Sequence, residues 1–90
     1  MLNCNYVKEK FEIEAFDILR YELSRGEYAF FYFKERMKKW VRNNDFKCDI
    51  EFYIYNGNIV RMKVQFNDDF PFGFECAWDT DMVRRLNLKI

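Results

Sequence analysis

Apolar and polar residues alternate, with Ile59 the exception, in two runs of equal length separated by Asn56-Gly57-Asn58. In the first run Cys48, Ile50, Phe52 and Ile54 alternate with Asp49, Glu51, Tyr53 and Tyr55. In the second, Val60, Met62, Val64 and Phe66 alternate with Ile59, Arg61, Lys63 and Gln65. A period of two marks strands with one buried face, and the intervening turn residues predict an antiparallel hairpin. Its register follows from the loop. A two-residue Asn-Gly turn would set Phe52 opposite Arg61 and mix the faces. A three-residue loop sets Ile54 opposite Val60, Phe52 opposite Met62, Ile50 opposite Val64 and Cys48 opposite Phe66. One face is then wholly apolar, and the other pairs Glu51 with Lys63 and Tyr53 with Arg61. A slip of one residue would turn the apolar set outward, which selects the three-residue loop. Gly57 or Asn58 supplies the positive φ such a loop requires.

Before the hairpin the period lengthens to that of a helix. Val7, Phe11, Ala15, Ile18, Leu19 and Leu23 fall on one side of a helix from about Val7 to Leu23, preceded by a short extended lead-in. Phe11 to Ala15 also alternates like a strand, but the length of the pattern and the lack of Gly and Pro favour the helix. Ser24-Arg25-Gly26-Glu27 predicts a tight corner. Gly26 can end the first helix in the left-handed conformation, and Ser24 with Glu27 matches a capping box for a second. That second helix spans about Glu27 to Asn43. Ala29, Phe30, Phe33, Met37, Trp40 and Val41 gather on one side, and basic residues fill its last turns. Its first half, Tyr28 to Phe33, is aromatic nearly all round, which predicts burial between the sheet and the first helix.

After the hairpin, Asn67-Asp68-Asp69 forms a turn and Phe70-Pro71 opens a third strand. Phe72, Phe74, Cys76 and Trp78 face inward, and the proline places the strand at a sheet edge. Asp79-Thr80-Asp81 starts a final helix with Met82, Val83, Leu86 and Ile90 on its apolar side. The order α-α-β-β-β-α predicts an α+β fold: a three-stranded antiparallel meander with helices packed on one face. Residues 1–90 make a single domain, with roughly 60–65% of the unfolded surface buried. A core of Phe33, Met37, Phe52, Met62 and Trp78 follows from the two periodicities.

Composition then narrows the chemistry. Half of the residues are hydrophobic and eleven are Phe, enough to exclude disorder. Fifteen basic and fifteen acidic residues balance, so no global charge draws the chain to nucleic acid or membrane. No apolar run approaches the roughly 20 residues of a bilayer span. The amino-terminal stretch is charged by residue 8, unlike a signal peptide. The expected location is cytoplasmic, in a bacterium, a phage-infected cell or another host. Cys48 and Cys76 fall on inward faces as reduced thiols, with a disulfide between them the other possibility.

The chain has no histidine. This removes Ser-His and Cys-His nucleophiles and His-metal sites. Three scattered cysteines do not make a zinc site, and no phosphate-binding glycine motif occurs. No metal and no cofactor are expected. Three constellations remain. Asp68, Asp69, Glu75, Asp79 and Asp81 form an acidic segment without a basic residue, suited to a partner protein with a basic surface. The ordinary reading makes them turn and cap residues. Lys34, Arg36, Lys38, Lys39 and Arg42 line the second helix with Phe31 and Tyr32 among them, a pattern that can hold phosphates and stack bases. The ordinary reading is a solvated helix face. Glu51, Tyr53, Arg61 and Lys63 share the polar sheet face and could serve metal-free RNA cleavage, against simple cross-strand pairing.

The leading expectation is a non-enzymatic protein-binding module, an inhibitor or adaptor of the immunity, antitoxin-like or phage anti-defence kind. The alternative is a module that binds RNA or single strands through the basic helix. A homodimer is compatible with either.

Overall fold

The computed structural model describes residues 3–55, 58–67 and 71–88. It has helices α1 (Cys4–Arg25) and α2 (Ala29–Asn43), strands β1 (Cys48–Tyr55), β2 (Ile59–Phe66) and β3 (Phe72–Asp79), and helix α3 (Thr80–Leu88). The order is α-α-β-β-β-α, and the sheet is antiparallel in the order β1-β2-β3.

The hairpin has the register that the alternation demands. Cys48 faces Phe66, Ile50 faces Val64, Phe52 faces Met62 and Ile54 faces Val60. On the other face Glu51 lies opposite Lys63 and Tyr53 opposite Arg61. Of the loop residues, Asn56 and Gly57 lie outside the described residues, and with Gly57 one of the two candidates for the positive φ; the other, Asn58, leads directly into β2. β3 extends the meander with Met62 opposite Cys76 and Val60 opposite Trp78. Cys48 and Cys76 therefore stand on opposite edge strands and in different rows, with β2 between them. Strand spacing of about 4.8 Å puts them beyond the reach of a disulfide, and both are free thiols.

Helices α1 and α2 pack against each other and cover the apolar sheet face. The central strand is the most deeply buried: Val60, Met62 and Val64 are fully covered and Phe66 nearly so. One end of the core is built on Phe11, whose ring meets Trp40, Phe46, Phe66 and Phe74 at 4.9–5.9 Å. At the other end Phe33 meets Phe52 at 5.6 Å and Trp78 at 6.3 Å, edge to face. The expected group of Phe33, Met37, Phe52, Met62 and Trp78 thus assembles. Only Phe33, Met37 and Met62 are fully buried; Phe52 and Trp78 are half-buried because β1 and β3 are the outer strands.

The helix ends depart from the sequence expectations in ways that backbone chemistry explains. α1 begins at Cys4 rather than near Val7, because Asn3 caps it and accepts from the Tyr6 amide at 3.1 Å. The lead-in is accordingly helical from Cys4. Ser24 does not form the capping box with Glu27. It lies inside α1 and donates its hydroxyl to the Tyr21 carbonyl, while Tyr28 occupies the N-cap of α2 without a side-chain cap bond. Gly26 does end α1, but at φ 137 and ψ −142, outside the left-handed helical region and in one that essentially only glycine enters. α2 closes in a Schellman motif. The Phe46 amide donates to Val41, the Asp45 amide donates to Arg42, and Asp45 takes φ 55. Phe46 is thereby turned onto the Phe11 ring.

The aromatic first half of α2 is not enclosed on all sides. Ala29 and Phe33 are buried, but Tyr28, Phe31 and Tyr32 are 66, 55 and 49% exposed. α3 starts where Asp79 accepts from the Asp81 and Met82 amides. Thr80, fully buried, ties the helix start to the Asn58 carbonyl through both its amide and its hydroxyl. Asn87 anchors the far end by exchanging two hydrogen bonds with Arg20 of α1. Val83 alone of the expected apolar side is buried; Met82 and Leu86 are exposed, and Ile90 lies outside the described residues. No helix is long and apolar enough to cross a membrane among the described residues.

Candidate interaction surfaces

The sheet is covered on one face only, so the fold offers three distinct surfaces: the helical layer, the uncovered sheet face and the acidic end of β3. Of the acidic residues, Asp68 and Asp69 lie outside the described residues. Glu75 projects from β3 onto the uncovered face and faces Arg61 at 3.8 Å. Asp79 is the N-cap of α3, and Asp81 in the first turn of α3 pairs with Arg84 at 3.6 Å. Each of these three carboxylates has work inside the fold. Among the described residues no group of three or more Cys, Asp or Glu side chains is arranged to hold a metal ion.

The basic residues of α2 divide by helix geometry. Arg36 turns toward α1 and bonds the buried Glu22 carboxylate at 2.9 Å. Lys38 pairs with Glu35 one turn away at 3.9 Å. Lys39 and Arg42 are exposed on the outer face, while Lys34 is half-buried. Lys38, Lys39 and Arg42 line the carboxyl-terminal half of the helix and the exposed aromatics line the amino-terminal half.

The corner where α1 gives way to α2 collects a surface that periodicity does not reveal. Tyr21, half exposed, accepts a hydrogen bond from Arg25 at 2.9 Å, and its ring lies 5.6 Å from the Arg25 guanidinium and 5.3 Å from that of Arg36. The hydrogen bond with the Tyr21 hydroxyl raises the Arg25 pKa above its ordinary value. Next to this stack Arg25, Glu27, Tyr28 and Tyr32 line an open groove of about 350 Å³. Phe31 completes the patch, edge to face with Tyr32 at 5.4 Å. Four exposed aromatic rings and two arginines are held here by the tight Gly26 turn and by the Arg36–Glu22 bond. In the sequence, Tyr21 belongs to one helix and Tyr28, Phe31 and Tyr32 to the next, so only the folding angle at Gly26 brings them together.

The uncovered sheet face carries Glu51, Tyr53, Arg61 and Lys63 side by side as expected. Tyr53 donates its hydroxyl to Glu51, and Arg61 leans toward Glu75. All four are exposed. General acid–base chemistry on a phosphate gains most where water is expelled, and these side chains are exposed to it. Burial lifts the Cys48 and Cys76 thiols to about 11, which makes them poor nucleophiles.

No family model matches the chain, and no match was found among the curated proteins or the solved structures.

Proposed function

We propose that this chain is a non-enzymatic protein-binding domain that acts by occupying another protein, as an inhibitor or adaptor. The observation that carries the reading is the exposed patch of Tyr21, Tyr28, Phe31 and Tyr32, each about half exposed or more, with Arg25 and Arg36. Large aromatics and arginine are enriched in the cores of protein interfaces and dominate their energetics. Leaving such rings in water forgoes their burial energy, and a partner surface would recover it. The patch is also pre-shaped, since α1 and α2 are rigid elements clamped at Arg36 and Glu22. Less conformational entropy is lost when such a surface docks. Glu75, Asp79 and Asp81 could still steer a basic partner on approach, although all three are engaged within the fold.

The nucleic-acid reading rests on the exposed Lys38, Lys39 and Arg42, beside aromatics on the same helix. It is separated by experiment. Capture of partners from the native host, with and without nuclease, is compared for the wild type, a Tyr28→Ala/Phe31→Ala variant and a Lys38→Gln/Lys39→Gln/Arg42→Gln variant. The proposal expects a nuclease-resistant protein partner that the aromatic variant loses and the lysine–arginine variant keeps. Capture that vanishes with nuclease and with the charge changes would replace it with the nucleic-acid reading.

A further inference from the structure

We propose that two copies of this chain associate through the free edge of β1, in antiparallel register centred on Phe52, to make one continuous six-stranded sheet. β1 is an outer strand of eight residues. Among the described residues no backbone hydrogen bond from outside the sheet reaches it. An open edge presents a row of unpaired amides and carbonyls, and proteins that stay monomeric blunt it with proline, lysine, a bulge or a covering element. β3 has such protection: Pro71 precedes it, and both α1 and α3 contact it, whereas β1 is contacted by α2. β1 contains no proline, glycine or lysine, pairs with β2 without a bulge, and is rich in the Ile, Phe and Tyr that favour strands.

Both outer strands leave apolar surface only half-buried, Phe72, Phe74 and Trp78 on β3 as well as the inward residues of β1. Met62, Val64 and Phe66 of β2 are 0–1% exposed, whereas their partners Phe52, Ile50 and Cys48 are only half-buried, and Ile54 is 39% exposed. The apolar layer therefore ends unfinished at β1. A two-fold axis through Phe52 would complete it with the same residues of the second copy. Phe52 then meets Phe52, and Ile50 meets Ile54 in both directions. On the other face Glu51 meets Tyr53, the same pair that already shares a hydrogen bond within one strand. Asp49 falls opposite Tyr55. This register places no acid opposite an acid, although β1 carries two. A register centred on Glu51 sets two glutamates face to face, and one centred on Tyr53 shortens the overlap. With the axis perpendicular to the sheet, the helices of both copies lie on one side as a single layer. The aromatic patch plays no part in this contact, so the two proposals stand or fall separately.

The test is the mass in solution across a concentration series, by light scattering or sedimentation. The expected result is a concentration-dependent rise to twice the 11.2 kDa of one chain. Ile54→Lys should weaken the association at least about tenfold, because it forces an ammonium opposite Ile50 of the second copy. Circular dichroism should stay unchanged, since Ile54 is already partly exposed. Register is checked in a Cys4→Ser background: Glu51→Cys mixed with Tyr53→Cys should give a disulfide-linked heterodimer under mild oxidation, and neither variant should crosslink alone. A chain that is monomeric at every concentration would overturn the proposal. So would a dimer that survives Ile54→Lys, or one in which the mixed pair fails to crosslink.

Discussion

At the scale of single residues, energetic weight follows position in the sheet rather than side-chain size. Phe33 and Phe52 touch edge to face, but Phe33 is fully buried and Phe52 sits on an outer strand. Phe33→Ala should cost about 3–5 kcal/mol, the range for a fully buried ring, and should lower Tm well below that of the parent. Phe52→Ala should cost less, because part of its ring is already in water. Equal losses for the two in urea melts would mean that β1 is better covered than its exposure indicates. The cysteines obey the same rule of position. Cys4 is exposed, while Cys48 and Cys76 are held as neutral thiols up to about pH 11 by burial. Cys4 should take up an alkylating reagent first, followed by Cys48 and last by Cys76, in mass spectra of the native protein. The unfolded thiols titrate near 9.0. Their folded values are raised, so their contribution to stability is complete below pH 9 and is lost as pH rises toward 11. A stability profile that climbs over that window would contradict the burial of these thiols.

At the scale of elements, the helices are fastened by a few polar contacts that the apolar pattern leaves open. Arg36 holds α2 to α1 through a carboxylate, Glu22, that is only 8% exposed. Arg36→Ala leaves that buried charge without its hydrogen-bond donor and should cost about 1–3 kcal/mol in denaturant melts. Arg36→Lys should recover part of the loss, since a lysine supplies charge but not the planar fork that also lies over Tyr21. Asp79 starts α3 by capping two amides. Asp79→Ala should cost about 1 kcal/mol, whereas Asp79→Asn should be nearly neutral, because asparagine caps as well as aspartate. The asparagine variant therefore removes the charge and keeps the helix. Slower association of that variant with a partner would show that Asp79 steers binding; an unchanged rate would confine it to capping.

At the scale of the whole molecule, charge balance and one-sided packing set the expected behaviour. A chain with no net charge exerts little long-range pull on a polyanion. Binding to single-stranded oligonucleotides should be weak, and log affinity should fall with log salt by no more than about −0.7 for each of the few phosphate contacts that Lys38, Lys39 and Arg42 can make. Binding to a protein partner through aromatic rings should depend far less on salt, because apolar burial is not screened. A titration of salt against affinity for each class of ligand separates the two. The uncovered sheet face should show no hydrolytic activity on RNA; cleavage lost in Glu51→Gln and Arg61→Ala would assign it a catalytic role instead.

The alternation from Cys48 to Phe66 settles the hairpin and its register before any coordinates are known. With side chains spaced every two residues, only one pairing keeps Ile50, Phe52, Val60, Met62 and Val64 on a common face. The helical periodicity likewise determines α1, α2 and the α+β class, since burial of an apolar stripe is local arithmetic. Helix ends are less legible. The cap at Asn3 lies in the stretch expected to be an extended lead-in, and the Ser24–Glu27 pair resembles a capping box that the backbone does not make, because α1 runs on to Arg25. What only the tertiary structure decides is which apolar residues stay in water. Phe31, Tyr32 and Met82 have the same chemistry as Phe33 and Val83, and their exposure depends on how far α1, α2 and α3 reach around a sheet of only three strands. The aromatic patch joins Tyr21 to Tyr28, Phe31 and Tyr32 across the turn at Gly26, and the edge of β1 is open because, among the described residues, no other strand pairs with it there. Both features are consequences of where separate segments meet, and sequence spacing does not encode that meeting.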